Sequence, residues 1–157
     1  MKRIHLTTFI KAPIARVFDL SRSISLHKLS MQHTKENAIS GITSGLLQKD
    51  DSVTWESMHL GKKRIMVMKI TEMESPSMFV EEQTDGEFKS FKHLHFFKTV
   101  ENGTILIDYI DYQTNLGIIG VVLEKLMLEN YIKNLFLKRN EFIKKYAETD
   151  LWKALIA

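Results

Sequence analysis

Hydrophobic and polar residues alternate along much of the chain, and this pattern predicts β-strands. The strand-like runs cover residues 3–11, 52–60, 63–73, 77–84, 90–101 and 104–115. A period of two residues is typical of strands with one buried face. Gly, Pro, Asn and Asp separate the later runs, which favours tight turns and therefore an antiparallel arrangement.

Helical spacing appears in three places. Pro13 precedes an apolar set at Ile14, Val17 and Phe18, which predicts a short helix, and residues 23–33 predict a second one. From Ile118 onward the apolar period becomes 3.6, which predicts one C-terminal helix of roughly 30 residues. Between these parts, residues 34–50 give only a weak strand at 45–49.

The order of these elements predicts an α+β fold. Six or seven strands form a curved antiparallel sheet, two short helices follow the first strand, and the long helix covers one face of the sheet. Curvature separates a sheet from the helix that it surrounds, so a ligand would occupy the gap between them. At 157 residues, the chain predicts a single domain over 1–157.

Composition excludes several classes of protein. The chain has no cysteine, which excludes disulfides, thiol nucleophiles and Cys-ligated metal centres. No segment reaches the ~18 apolar residues of a membrane span, and His5 and Thr7 interrupt any signal sequence. Net charge is +3 with the basic residues dispersed, so we expect a cytoplasmic protein that does not bind nucleic acid.

Hairpin register predicts which side chains face the gap. With Asn102 and Gly103 as loop residues, His95 lies opposite Ile110 and Phe97 opposite Asp108. Similar turns at Gly61-Lys62 and Ser75-Pro76 extend the same face to the middle strands. This predicted inner face comprises Trp55, His59, Met66, Met68, Phe79, Glu81, Phe91, His93, His95, Phe97, Asp108 and Tyr112.

His93 and His95 share one strand face, as two metal ligands do, and His59 and Asp108 would complete such a set. The interpretation that we favour is that both histidines are half-buried and hydrogen-bonded to Tyr112, Asp108 or water. We therefore expect no metal and no cofactor. Because the pKa of histidine is near neutrality, acid–base catalysis is a third interpretation.

Charged and apolar residues of the long helix add two predictions. Arg139 lies on its apolar stripe near Leu135, where it would pair with Asp108 or Glu81, as a structural ion pair or as a ligand clamp. Alternatively, its guanidinium extends to solvent. The apolar tail, with Leu151 and Trp152, would dock on the domain or on a second copy, which makes a homodimer possible.

Several segments resemble the START-like family, also called SRPBCC or Bet v 1-like. Residues 10–20 (IKAPIARVFDL) are similar to the opening of that family. Segments that resemble a bacterial branch described as polyketide cyclase/dehydrase-like or cell division inhibitor-like are 53–61, 86–88, 91–97, 103–112, 117–120 and 135–139. The resemblance implies a helix-grip fold with a ligand cavity, in a family of lipid carriers, hormone receptors, cyclases, oxygenase domains and chaperone cofactors.

Together, these observations favour a non-catalytic carrier or sensor of a hydrophobic or aromatic small molecule, such as a lipid or polyketide. The predicted ligand contacts are Trp55, His59, Met66, Met68, Phe79, Glu81, Phe91, Phe97, Tyr112, Leu135 and Arg139. The alternative is a cofactor-free cyclase or dehydrase in which His93, His95 and Asp108 are the acid–base groups. A further alternative is a protein-interaction module.

Overall fold

The computed structural model describes residues 1–115 and 125–156. Its strands are β1 (Lys2–Ile10), β2 (Asn37–Gly41), β3 (Ser52–His59), β4 (Lys62–Glu74), β5 (Met78–Asp85), β6 (Phe88–Val100) and β7 (Gly103–Thr114). All seven form one antiparallel sheet in the order β1-β7-β6-β5-β4-β3-β2. The α+β architecture and the strands predicted by alternation are confirmed.

The strand predicted at 45–49 is wrong. Leu46 forms only an isolated bridge with Ser23, and the additional strand is β2, which pairs with β3 at the edge of the sheet. Almost all of β2 is solvent-exposed. A strand without a buried face carries no alternation of apolar and polar residues, so the pattern could not reveal it.

Two of the three predicted hairpin loops lie one residue too late in the sequence. β3 and β4 are joined through Leu60 and Gly61, which have φ angles of 53° and 76°. β6 and β7 are joined through Glu101 and Asn102, where Asn102 has a φ of 65°. Each correction moves the partner of a strand residue by two positions. Side chains alternate with a period of two, so the predicted faces are unchanged.

Gly103 is the first residue of β7 rather than a loop residue. Its glycine identity has a different cause, because a Cβ at this position would lie 2.3 Å from the carbonyl oxygen of Ile10. The corrected register also changes the pairs that matter for the site. His95 lies opposite Asp108, and His93 lies opposite Ile110.

The helices near the N-terminus cover part of the inner face of the sheet. They are α1 (Ile14–Ser21), α2 (Ile24–Ser30) and a 3₁₀ turn, Gln32–Thr34. Ser23 caps α2 by accepting a hydrogen bond from the Leu26 amide at 3.2 Å. Phe18 of α1 packs edge-on against Phe79 and Phe97, with ring centroids 5.6 and 5.2 Å away. These rings form the centre of the core on that side.

The C-terminal helix, α3 (Lys125–Glu148), crosses the inner face of the sheet. Near one end, Tyr131 hydrogen-bonds to His59 of β3. Near the other end, the Lys144 ammonium donates to the carbonyl oxygen of Phe9 in β1, 2.8 Å away. One helix therefore spans the sheet from β3 to β1, as predicted. The predicted start at Ile118 and the segment 117–120 lie outside the described residues.

The tail after α3 docks on its own chain. A 3₁₀ turn, Asp150–Trp152, leads into α4 (Lys153–Ile156). The Arg16 guanidinium lies 4.3 Å from the centroid of the Trp152 ring, and Leu155 and Ile156 pack against the core. Among the described residues, no helix has both the length and the hydropathy needed to cross a membrane.

Candidate functional site

A cavity of about 170 Å³ lies between the inner face of the sheet and α3. The residues that line the cavity differ in solvent exposure, from 49% for Leu60 to 1% for His93. The apolar side chains of its wall are Met31, Trp55, Leu60, Ile65, Met66, Met68, Phe88, Phe91, Leu128, Ile132, Leu135 and Phe136. The space is therefore open at one end, closed at the other, and mainly apolar in between.

Polar groups of the wall bind one another. His27 Nε2 lies 2.6 Å from Glu36 Oε1, and the His27 ring packs against Trp55 with centroids 4.3 Å apart. His59 Nδ1 lies 2.6 Å from the Tyr131 hydroxyl. A third pair joins Arg64 to Glu87. Because the members of these three pairs bind one another, their polar atoms are already satisfied when a ligand enters.

The closed end of the cavity carries a cluster of two histidines and two carboxylates, which we call the floor cluster: Glu81, His93, His95 and Asp108. Strand pairing places Glu81 opposite His93 and places His95 opposite Asp108. Asp108 Oδ1 lies 2.8 Å from His93 Nε2 and 3.0 Å from His95 Nδ1. His95 Nε2 lies 3.5 Å from Glu81 Oε2.

Helix α3 holds this cluster from above. Asn140 donates its amide hydrogens to Asp108 Oδ2 at 2.7 Å and to Thr8 Oγ1 at 3.2 Å. The Phe136 ring meets the His93 ring edge-on, with centroids 4.6 Å apart. The floor cluster is therefore fixed by β5, β6, β7 and α3 together.

Burial and neighbouring charges oppose each other in the floor cluster. Burial raises the pKa of Asp108, but the hydrogen bond from His93 and the close approach of His93 and His95 outweigh it and hold this pKa well below its usual value. The same competition, with His95 as the main opposing partner, lowers the pKa of Glu81 to about 2. Burial, together with the charge of His95, lowers the pKa of His93 to about 4. Both carboxylates are thus ionised at neutral pH.

His95 is fully buried without well-aligned partners. Its ring stacks on Phe79 and on His93, with centroids 4.1 and 3.7 Å apart. Although both carboxylates are near, neither ring nitrogen makes a hydrogen bond of good geometry with a described residue. Buried polar atoms in this state are rare in folded proteins.

Solved structures with the same architecture are numerous. A START superfamily protein from Mycobacterium smegmatis superposes with a TM-score of 0.71 at 8% identity, covering 93% of this chain and 97% of that one. The major latex-like protein 151 from Panax ginseng gives 0.66 at 16% identity, with coverage of 93% and 97%. TTHA0849 from Thermus thermophilus gives 0.69 at 17% identity, with coverage of 90% and 97%.

The chain has the START-like, or Bet v 1-like, helix-grip fold. The fold that the sequence resemblance implied is therefore confirmed. No protein-family model matches the sequence, and no curated protein matches it. At these identities the likeness is one of fold.

The helix-grip arrangement brings many of the predicted site residues to the cavity. Those that line it are Trp55, His59, Met66, Met68, Glu81, Phe91, His93 and Leu135. Phe79 and Phe97 instead pack against Phe18 in the core. Tyr112 is buried beside Phe88, while His95 and Asp108 lie behind His93. The sequence had placed all of these on the correct face but could not separate the cavity wall from the core.

Arg139 does not form either of its predicted ion pairs. Its guanidinium donates to the carbonyl oxygen of Ser21 at 2.6 Å, and the residue is 2% exposed, so it does not reach solvent either. The partner of Asp108 on α3 is the next residue, Asn140. One step along a helix turns the side chain by roughly 100°, which is enough to exchange these two roles. A polar residue four positions after Phe136 was the signal that could have identified Asn140.

The predicted metal set of His59, His93, His95 and Asp108 is not assembled as a whole. His59 bonds to Tyr131 and lies outside the floor cluster. The favoured interpretation holds for the hydrogen bond from His93 to Asp108. Both histidines are fully buried rather than half-buried, and His95 makes no well-formed hydrogen bond to a described residue. The sequence did not reveal the pair of His27 and Glu36, because Glu36 lies in residues 34–50, where the pattern predicted only a weak strand.

Proposed function

We propose that the protein is a cytoplasmic carrier or sensor that binds a small hydrophobic or aromatic molecule between the sheet and α3. The observation that supports this proposal is the mainly apolar cavity of about 170 Å³. An apolar cavity of about 150 Å³ is large enough to hold benzene. A ring or a short alkyl group therefore fits inside, and a longer molecule would extend through the open end.

The side chains of the wall suit such a ligand. Trp55 and Phe91 offer ring faces and edges for stacking. Met66 and Met68 are unbranched and polarisable, so they adapt to ligands of different outline. A polar end of the ligand would meet Glu81 and His93 at the closed end.

A second candidate is acid–base catalysis by a cyclase or dehydrase. It is favoured by one observation, that His93 faces the cavity while its Nε2 is hydrogen-bonded to Asp108. An imidazole oriented by a carboxylate is a common proton-transfer group. His95 and Asp108 are not among the lining residues of the cavity, so we rank this function second.

The proposal is tested by the fluorescence of Trp55. The chain has two tryptophans, so Trp152→Phe leaves Trp55 as the only one. Titration with the naphthalene dye 1-anilinonaphthalene-8-sulfonate should change Trp55 emission and saturate at one dye per chain. Leu135→Phe adds bulk to the cavity wall and should weaken binding by about tenfold or more, the effect of a methylene-sized misfit in an apolar pocket.

Leu137→Phe is the matched control. It makes the same change on the same helix at a residue that is 39% exposed, so it should leave dye affinity unchanged. Equal affinity of the parent and Leu135→Phe would contradict the proposal, as would dye binding that leaves Trp55 emission unaltered.

Two expectations from the sequence stay predictions: that the protein forms a homodimer, and that it acts as a protein-interaction module.

A further inference from the structure

We propose that the floor cluster is a binding site for one divalent transition-metal ion, with Glu81, His93 and His95 as its ligands. One potential ligand atom from each of these residues lies within 4.8 Å of the other two. The metal set considered from the sequence joined the two histidines to His59 and Asp108, and it did not include Glu81. Pairing of β5 with β6 places it directly opposite His93.

The donor set has a defined chemistry. Two imidazoles and one carboxylate are the ligands of zinc sites that keep an open position, and of iron(II) sites with open positions. Hard cations such as Mg²⁺ prefer sites made of oxygen ligands only. The proposed site is therefore specific for first-row ions such as Zn²⁺, Fe²⁺ or Co²⁺.

Asp108 acts as a positioning residue for both imidazoles. Its Oδ1 lies 2.8 Å from His93 Nε2 and 3.0 Å from His95 Nδ1. These contacts leave His93 Nδ1 and His95 Nε2 as the metal-binding nitrogens, and His95 Nε2 already lies 3.5 Å from Glu81 Oε2. A carboxylate behind each ligating histidine is the usual support of a metal site.

The state of His95 is an independent observation that points to a ligand. The side chain is fully buried, and both of its ring nitrogens lack a well-formed hydrogen bond to the described residues. A polar group buried without a partner destabilises the fold. A metal ion bound to Nε2 would satisfy that nitrogen and draw the ring into line with Asp108.

An ion has a route to this site and compensation for its charge. Glu81 and His93 line the cavity, so the open coordination positions face the space that connects to solvent. The two carboxylates of the floor cluster balance a charge of two. Binding of the ion needs only the cluster, so this inference stands whether or not the cavity takes a hydrophobic ligand.

Titration of the metal-free protein tests the site directly. After dialysis against a chelator, Zn²⁺ is titrated by calorimetry and Co²⁺ by visible absorption, which reports the ligand field. We expect one ion per chain and a Co²⁺ spectrum that Zn²⁺ abolishes. Glu81→Gln should weaken binding at least about tenfold, and Asp108→Asn by about 10–100-fold, with a shifted Co²⁺ spectrum from displaced imidazoles.

Two control variants exclude other sites. Glu82→Gln makes the same change one residue later, on the opposite face of β5, where Glu82 pairs with Lys92. His33→Ala removes an exposed histidine. Both should bind Zn²⁺ as the parent does.

Absence of saturable Zn²⁺ and Co²⁺ binding would overturn the proposal, and so would equal binding by the parent and Glu81→Gln. Circular dichroism verifies that each variant is folded. If Glu81→Gln is unfolded, His93→Gln replaces a second ligand and carries the same expectation.

Discussion

Asn140→Ala tests whether α3 stabilises the buried carboxylate of Asp108. Asn140 is 2% exposed, and its amide donates to Asp108 Oδ2 at 2.7 Å. The carboxylate is fully buried, so water cannot easily replace the lost donor. The perturbation therefore removes a charge-assisted hydrogen bond and leaves one carboxylate oxygen without its partner.

The expected cost follows from these contacts. Loss of a hydrogen bond to a buried charge costs about 1.5–3 kcal/mol, and the space left by the amide adds about 1 kcal/mol. Alanine regains roughly 0.5 kcal/mol through its higher helix propensity. We therefore expect Asn140→Ala to lower the free energy of unfolding by about 2–3.5 kcal/mol.

Urea denaturation followed by circular dichroism measures this difference. Asn134→Ala is the matched control, because Asn134 lies on the same helix with its side chain exposed. It makes the same chemical change and should be neutral or stabilising by a few tenths of a kcal/mol. The comparison of the two variants removes the contribution of helix propensity.

A difference below about 0.5 kcal/mol between the two variants would refute the expected loss of stability, because ordinary surface substitutions have effects of that size. A double-mutant cycle identifies the partner. In an Asp108→Asn background the penalty of Asn140→Ala should shrink, because the buried charge is gone; the coupling of contacting groups is typically about 0.5–3 kcal/mol.

Two further predictions concern the start of β7 and the cavity wall. Gly103→Ala should destabilise the protein by more than about 1 kcal/mol in urea denaturation, because the Cβ of the alanine would lie 2.3 Å from the Ile10 carbonyl oxygen. An unchanged stability would contradict this close approach. Burial raises the pKa of Glu36, but His27 outweighs it, so the folded value lies below the ordinary 4.5. The ionised Glu36 carboxylate therefore stabilises the fold above pH 4.5, and this contribution is lost as the pH falls through the folded pKa. Glu36→Gln should melt at a lower temperature than the parent near neutral pH, and this difference should disappear in acid. A difference that stays constant with pH would contradict the prediction.

The sequence by itself determined the elements and their faces. Alternation with a period of two identified β1 and β3 to β7, and a loop error of one residue left every face unchanged because it shifted each partner by two positions. The 3.6-residue period identified α3. These signals are local, since burial of one face imposes them on each element separately.

Only the tertiary structure decided which side chains meet. Glu81 joins His93 because β5 pairs with β6 in one register, and Asn140 rather than Arg139 reaches Asp108 because of the rotation of α3 against the sheet. The division of one apolar face into the core around Phe18 and an open cavity is equally non-local. Such contacts depend on distances between elements, and the period of hydrophobic residues within an element carries no information about those distances.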